Sequence, residues 1–446
     1  MKTFLDWSAY DTYGIGDAYS GIPATGGNYA KAVAVCMHSR DCQNTGKGVM
    51  CPSYRITGDR AHSTEARVAA FKAALNDGTD ARAFADPRLD AAMDLCVSCK
   101  ACKKECPSAV DMTLIKTEYL AQRHEIRGVP PRTRLFGGLP EWAGHYRGIL
   151  RFLIGLRNRS QMIAKFVENR LGITAARPLP LPSKKPYSGP LTTGDCARGE
   201  VILFVDTFCH HFDPEIAEAA TSVLVKAGYK VRLAKPAPDD ADPNRPLCCG
   251  RTYLTTGMVE KARAEGKRVL AAFRGEIAAG TPIIGLEPSC LLSLRDELYS
   301  LGLGAEVGDL GKQLYLLEEF LVREYQRGMR LPLKKLDLPK ALLHGHCHQK
   351  AFGVMKSTRK VLSWIPGFDF EIIESSCCGM AGSFGLEAEH YRASLDMAEI
   401  SLLPAVRASN ADTPIIANGF SCRHQIEHGS GRQAIHTALL LRDALA

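Results

Sequence analysis

The chain has no run of about 18 consecutive apolar residues, the least that carries a helix across a bilayer. Its opening residues, Met1-Lys2-Thr3-Phe4-Leu5-Asp6, hold no apolar leader-like stretch. A membrane span is therefore not expected, and a reducing cytoplasmic setting is. Aromatic residues make up only 7% of the chain, and no basic patch interleaved with aromatics offers a stacking platform, so nucleic acid is not an expected partner. A complete dinucleotide fingerprint is missing as well. Gly14-Ile15-Gly16 runs on into Asp17-Ala18-Tyr19, and Gly302-Leu303-Gly304 lacks the third glycine in register. What remains is ordinary globular composition, 46% hydrophobic and 23% charged over 446 residues, which is length for several domains.

Cysteine is the residue in excess, at 16. In a long chain of the reducing cytoplasm, thiols are kept for metal rather than for disulfides. Cys96, Cys99, Cys102 and Cys106, followed by Pro107, reproduce the bacterial ferredoxin run, in which three cysteines wrap one cubane and the fourth reaches a second. Zinc sites instead pair two C-x2-C units far apart. The reciprocal fourth ligand belongs upstream, where Cys51-Pro52 has the required form. Before it stand Cys36 and Cys42, and in the standard register the middle ligand falls on Ser39. Cys96, Cys99, Cys102 and Cys51 are thus expected to hold a complete 4Fe–4S cluster, with Cys36, Cys42 and Cys106 holding another. With three thiolates that second cluster is 3Fe–4S, or a site-differentiated 4Fe–4S whose odd iron takes Ser39, Asp41, His38 or water.

Charge is unevenly placed. Ten Arg and three Lys between Arg123 and Lys185 meet only Glu125, Glu141 and Glu168, a net +10 in a chain of +8. This connector contains an amphipathic pattern from Tyr146 to Ile154 and ends in Pro178, Pro180, Pro182 and Pro186. Its Arg147, Arg151, Arg157, Arg159 and Lys165, around Phe152, Leu153, Ile154 and Phe166, suit an acidic partner or an anionic membrane surface, with partner docking the favoured reading.

Beyond the connector, short β-branched runs alternate with helical stretches, which implies βαβ units and parallel sheets. Strands are expected at 201–205, 231–233, 283–284, 341–343, 370–373 and 415–416. The decamers Thr281–Cys290 and Thr413–Cys422 share their first four residues and their Ser-Cys ending. Upstream of each is a Cys-Cys-Gly triplet (Cys248-Cys249-Gly250 and Cys377-Cys378-Gly379), and upstream of that a cysteine at a strand end, Cys209 and Cys347. The C-terminal half is read as two related lobes, each gathering four thiolates at the carboxyl ends of parallel strands. The metal candidates are Cys209, Cys248, Cys249 and Cys290 in one lobe and Cys347, Cys377, Cys378 and Cys422 in the other. Cys196 fits neither pattern. His210, His211, Arg251 and Glu287 flank the first set, and His344, His346, His348, Arg423 and His424 the second. Of these, His210, Arg251, His346, His348 and Arg423 are the candidates for proton transfer coupled to reduction.

The expected fold is α+β multidomain: an N-terminal arm (1–30), a mainly helical two-cluster ferredoxin-like domain (31–122) whose helix from Thr64 is capped by Ser63, the basic connector and Pro-rich linker (123–197), and two repeated α/β lobes with parallel sheets (198–330 and 338–446).

These residues resemble a known group. The N-terminal part is similar to the ferredoxin module of the glycolate oxidase iron–sulfur subunit, and the two lobes to the cysteine-rich CCG domains of heterodisulfide reductase. Met50–Thr57, His62-Ser63-Thr64, Leu95–Lys100, His344–His348, Cys377–Gly385 and Gly419–Arg423 together resemble the iron–sulfur half of bacterial FAD-linked D-2-hydroxyglutarate dehydrogenases. The resemblance implies an electron-transfer subunit of an oxidoreductase acting on a D-2-hydroxy acid such as 2-hydroxyglutarate, lactate or glycolate. FAD would lie in a separate dehydrogenase subunit, and the acceptor would be a quinone, an electron-transferring flavoprotein or a cytochrome, with one or two further clusters in the CCG lobes. The chain would be cytoplasmic, with peripheral contact to the inner membrane face. Two departures stand out. The flavin half is absent from this sequence. The C-x2-C that ends heterodisulfide reductase lobes is broken by Glu287 in one lobe and Gly419 in the other, which favours ordinary cubanes over non-cubane clusters. The rival reading is a reductase of disulfides or quinones acting at a CCG-lobe cluster; a zinc scaffold is the third.

Overall fold

The computed structural model describes residues 2–14, 21–46, 48–77 and 80–446, and the glycine run at 14–16 therefore lies largely outside the described residues. The ferredoxin-like part is helical, as its pattern predicts. Helix Gly27–Ala34 packs its alanines and Tyr29 on helix Thr64–Asp77, and helix Met112–Arg127 completes the core. Ser63 opens helix Thr64–Asp77, accepting Ala66 N–H on its hydroxyl at 3.2 Å, so an orphan donor of the first turn is satisfied.

The arm is docked rather than irregular. Leu5 and Trp7 are buried, and the carboxylate of Glu118, fully buried on helix Met112–Arg127, accepts Phe4 N–H, Leu5 N–H at 2.8 Å and the Trp7 indole N–H at 3.2 Å. Asp6 N–H reaches Ser300 O, and Arg263 donates to Phe4 O, so the arm also ties the ferredoxin part to the first lobe.

Each lobe is a largely parallel sheet. In the first, β1 (Thr192–Thr193), β2 (Glu200–Phe204), β3 (Lys230–Leu233), β4 (Ile283–Gly285) and β5 (Leu314–Leu316) stand in the order β1-β3-β2-β4-β5, with only β1 antiparallel. In the second, β6 (Ala341–His344), β7 (Phe370–Ile372), β8 (Ile415–Ala417) and β9 (Ala434–Ile435) run in the order β7-β6-β8-β9, all parallel. The six expected strands are β2, β3, β4, β6, β7 and β8. The unexpected ones, β1, β5 and β9, are edge strands of two or three residues, too short for a period-2 pattern to register. The decamers coincide in structure, each a buried central strand followed by a helix that opens just before a cysteine: β4 with Pro288–Leu294, β8 with Phe420–Ser430. The lobes share one core, in which helix Pro214–Lys226 packs on helix Thr437–Asp443.

The connector folds as helices Pro131–Gly137, Leu139–Arg159 and Gln161–Leu171, the second kinked at Tyr146. Three of its arginines are not free surface charges. Arg147 donates to Ser183 O and Lys184 O, Arg151 to Pro182 O, and the buried Arg157 to Arg177 O and Thr174 O. They are drawn to carbonyls that an extended proline-rich chain leaves without strand partners, and so lay that linker along the helix. Arg159, Lys165 and Arg170 remain exposed. Among the described residues no helix is long and apolar enough to cross a membrane.

Glu118→Ala leaves three arm donors unpaired and should cost about 3 kcal/mol in unfolding free energy, measured by chemical denaturation of the holoprotein. His390 links Asp94 of the ferredoxin part (2.9 Å) to Glu387 of the second lobe (2.8 Å). Burial alone would lower its pKa, but the two carboxylates raise it to about 9. Because the folded value lies above the ordinary one, this link stabilises fully below about pH 6.5 and is lost as pH rises through about 9. The thermal midpoint should therefore fall across that window in the parent and fall less in His390→Gln.

Candidate metal centres

Cys96, Cys99 and Cys102 stand on the loop between helices Pro87–Asp94 and Ala101–Glu105 and on the start of the latter. Ser98 (φ 49°) and Lys100 (φ 61°) flank Cys99 in the left-handed region, a conformation non-glycine residues adopt at a cost. Cys51, ahead of helix Pro52–Thr57, joins them from upstream, and the four cysteines line one partly open pocket with Met50, Arg67 and Met112. An all-sulfur donor set around a pocket fits the 4Fe–4S cluster that their spacing predicts.

The strongest local charge was not anticipated from sequence. Arg67 is 1% exposed and directs its guanidinium at this set: Nη1 lies 3.3 Å from Cys51 Sγ, Nη2 donates to Ser53 Oγ at 2.8 Å and Nε to Ala92 O at 2.8 Å. Burial pushes the Cys51 thiol up, but the Arg67 charge and the hydrogen bonds of Ser53 and Arg67 bring it below the ordinary thiol value. Cys99 and Cys102, without such a partner, are pushed up by burial. The signal available in the sequence was an arginine four residues after a cap, on the face otherwise holding Val68, Phe71 and Leu75. Lys100, equally buried, pairs with Asp111 (3.6 Å), Glu297 (3.3 Å) and Asp296, clamping the loop to the first lobe.

The second set repeats the first. His38 (φ 55°) and Arg40 (φ 63°) stand in the left-handed region at the same spacing from Cys36 as Ser98 and Lys100 from Cys96, which puts Ser39 where the other loop has Cys99. Cys36 and Cys42 are buried and Cys106 half-buried, the charge of Cys106 acting on Cys36 and that of Cys36 on Cys42. Glu65 N–H donates to Cys42 Sγ at 3.4 Å. Of the candidates for a fourth ligand, His38 is turned onto Glu65 at 3.0 Å, while Ser39 and Asp41 are exposed. Three sulfurs with one exposed corner fit a cluster short of a thiolate.

In the second lobe Cys347, Cys377, Cys378 and Cys422 come together. Ligand atoms of His344, Cys378 and Cys422 lie within 4.8 Å of one another, and Cys377 contacts both Cys347 and Cys378. The adjoining sulfurs of Cys377 and Cys422 and the nearby His344 ring hold Cys378 well below the ordinary thiol value. Gly379 (φ 82°) donates its N–H to Cys377 Sγ at 3.4 Å. Sequence reasoning missed Lys350, buried beside these sulfurs with its ammonium on Ser375 Oγ (3.0 Å) and Ser376 O (3.1 Å).

The first lobe departs from the expected repeat. Cys248, Cys249 and Cys290 meet, but Cys209 packs in a different core beside Asp206, Glu287 and Arg423. The reason is register. β6 ends at His344 and its helix begins at Cys347; β2 ends at Phe204 and its helix begins at Thr207. Thr207 is thus the counterpart of Cys347, and its hydroxyl reaches Cys248, whereas Cys209 falls two residues further on.

The titratable neighbours divide. His348 Nε2 lies 3.3 Å from Ser98 O and from Arg251 Nη2, so both lobes touch the loop that carries Cys99. His346 caps helix Cys347–Ala351 by accepting His348 N–H at 3.2 Å. Arg251 and Arg423 are engaged structurally, Arg251 by Glu297 and Ser293, Arg423 by Asp213 and Asn418 O. His210 and His211 lie at the linker, where their carbonyls accept Tyr187 N–H and Ser183 N–H. Burial holds His210 down to about 4, His211 and His346 to about 3 and His424 to about 4, and it lowers His344 and His348 as well. Burial thus disfavours the charged form of each ring. Glu287 spans the lobes: it accepts Phe420 N–H at 2.8 Å, and burial raises its carboxyl to about 7. At Gly419 a Cβ would stand 2.4 Å from the His346 ring, so a cysteine there has no room. Cys196 is exposed and apart.

Removing the Arg67 guanidinium strips a cation and a donor from one thiolate set, so Arg67→Met should lower the midpoint potential of a single cluster by about 50–100 mV, the electrical equivalent of one charge-assisted hydrogen bond. A redox titration followed by EPR reads this, with the other clusters as internal standards.

Residues 32–110 match the 4Fe-4S dicluster domain. The chain is 29% identical over 250 residues to a subunit of the anaerobic glycerol-3-phosphate dehydrogenase of Escherichia coli K12, covering 56% of this chain and 60% of that protein. It is 25% identical over 443 residues to D-2-hydroxyglutarate dehydrogenase of Pseudomonas putida, covering 87% of this chain and 41% of the relative. It is 27% identical over 195 residues to lactate utilization protein A of Bacillus subtilis, covering 42% and 75%. The match thus spans less than two thirds of the length of the dehydrogenase relatives. The chain thus carries a 4Fe-4S dicluster domain and is homologous to that anaerobic glycerol-3-phosphate dehydrogenase subunit, to the D-2-hydroxyglutarate dehydrogenases and to lactate utilization protein A.

Proposed function

We propose that this chain is the electron-transfer subunit of a dehydrogenase, fed by a separate FAD-binding subunit and delivering to a quinone, an electron-transferring flavoprotein or a cytochrome. The observation that carries the reading is the nearness of Cys99 and Cys347, close enough for the charge of one to act on the other. Both pack in one small apolar cluster with Val97, Cys377 and Phe384, where helix Cys347–Ala351 meets helix Ala101–Glu105. The sulfur sets of the ferredoxin part and of the second lobe therefore adjoin across this cluster.

Cys51, Cys96, Cys99 and Cys102 would hold one 4Fe–4S cluster. Cys36, Cys42 and Cys106 would hold a 3Fe–4S or site-differentiated one. Cys347, Cys377, Cys378 and Cys422 would hold a further cluster, and Cys248, Cys249 and Cys290 are three sulfurs for another. Bound clusters supply one-electron steps, the conversion that a two-electron flavin donor requires of its acceptor. The protein's own share is to keep these sulfurs dry and to set charge around them through Arg67, Lys100, Lys350 and backbone N–H donors. The substrates in the relatives' names, glycerol-3-phosphate, D-2-hydroxyglutarate and lactate, have in common a secondary alcohol near an anionic group. A 2-hydroxy acid is the reading the sequence resemblance favours, with oxidation on the flavoprotein and none on this chain. Peripheral contact with the inner membrane face is part of the same reading.

The chain purified anaerobically should show iron–sulfur absorption and EPR signals, including that of an oxidised 3Fe–4S centre, yet oxidise none of D-2-hydroxyglutarate, lactate, glycolate or glycerol-3-phosphate. Supplying a co-purifying flavoprotein should restore dye-linked oxidation of one of them. Oxidation by the chain alone would overturn the assignment, and zinc in place of iron would remove its basis.

A further inference from the structure

Between the connector helices and the two lobes lies an open apolar cleft with about 1000 Å3 of empty space. Leu150 and Ile154 of helix Leu139–Arg159 form its outer wall, with Trp142 nearby. Phe208 and Phe420, stacked at 4.6 Å between ring centroids, contribute its floor. Phe208 precedes Cys209, and Phe420 stands two residues before Cys422. Polar side chains gather on the lobe side, where Ser421 and His424 come from the helix that carries Cys422. An apolar slot with a few hydrogen-bonding groups at one end is built for a flat, mostly apolar molecule with a polar edge.

The same helices carry an apolar outer flank. Phe152 is 68% exposed, Met162 80% and Phe166 60%, with Ile149, Leu153 and Leu156 exposed beside them. Leu153 and Leu156 flank Ile154 of the cleft wall, and Leu181, also exposed, follows Leu179 and Pro180 of the cleft's rim and lies against Gly155. Arg159, Lys165 and Arg170 are the exposed charges here, while Glu141 is held by Lys261 and Glu168 by Ala175 N–H. Large apolar side chains among exposed cations match an anionic lipid surface.

We propose that the cleft binds the ring of a lipid-soluble isoprenoid quinone, whose tail leaves along the exposed apolar flank into the bilayer. This rests on the electron-transfer reading above and names its acceptor. The quinone gains two electrons, one at a time, from reduced iron–sulfur clusters of this chain and two protons from water. Each carbonyl becomes a hydroxyl, and the product is the hydroquinone. Ser421 and His424 are positioned to hydrogen-bond one carbonyl, and Phe208 and Phe420 to lie against the ring.

The test titrates the cluster-loaded full chain with 2-heptyl-4-hydroxyquinoline N-oxide, a quinone-head mimic, measuring free ligand by ultrafiltration. Expected is saturable binding displaced by decylubiquinone. Leu150→Trp and, independently, Ile154→Trp fill the cleft from the wall remote from every cysteine, and each should raise the Kd at least tenfold with the cluster EPR spectrum of the parent. No saturable binding to the parent, or parental affinity in both variants with parental EPR, overturns the proposal. Dye reduction by parent plus flavoprotein tests the electron-transfer reading separately, since it needs no quinone. Dye reduction without ligand binding removes the site and keeps that reading; ligand binding without dye reduction keeps the site and removes the reading.

Discussion

Sulfur that is to hold a cluster must be kept from water, and dry thiolates have to be matched in advance by cations and N–H donors, because the cost of an uncompensated charge in a protein interior exceeds what packing returns. Much of this architecture answers that constraint. Arg67 is buried without any carboxylate partner and has only Cys51, Ser53 and a backbone carbonyl to satisfy it. Lys350 lies buried beside the sulfurs of the second lobe. Lys100 is buried too, but is spent on Asp111, Asp296 and Glu297, so that the loop carrying Cys99 is bolted to the first lobe. The arm, anchored by Glu118, closes the same junction from the other side.

Duplication followed by separate use explains the asymmetry of the lobes. The two share their strand-helix geometry down to the helix that starts three residues after each first strand. At that position one lobe presents Cys347 and the other Thr207. Where the second lobe has a glycine with no space for a side chain, the first has Glu287, whose carboxylate crosses to Phe420 N–H and makes the pair one body. The second lobe brings four cysteine sulfurs together; the first brings three and supplies the carboxylates that fasten its neighbours.

The connector shows why a charge count is a poor guide to a surface. Its net +10 comes in part from arginines whose task is to hold backbone carbonyls of a proline-rich strand. What faces solvent is less basic and far more apolar than the composition suggests, and this exposed apolar flank runs beside the wall of a cleft lined by Phe208 and Phe420.

The ferredoxin run, Ser39 in place of a cysteine, the two-lobe repeat, the six longer-patterned strands and the cap at Ser63 were all legible in the sequence. All of these are local or periodic: fixed cysteine spacings, alternating apolar runs and a repeated decamer need no knowledge of distant contacts. It took the packed fold to show that Arg67 points at Cys51, that Thr207 and not Cys209 occupies the first-lobe position, that His346 and His348 are buried, and that Glu287 joins the lobes. Each of these depends on which elements pack together. A cysteine two residues out of register along a helix is turned to another face, and a histidine loses its water only when another element packs over it.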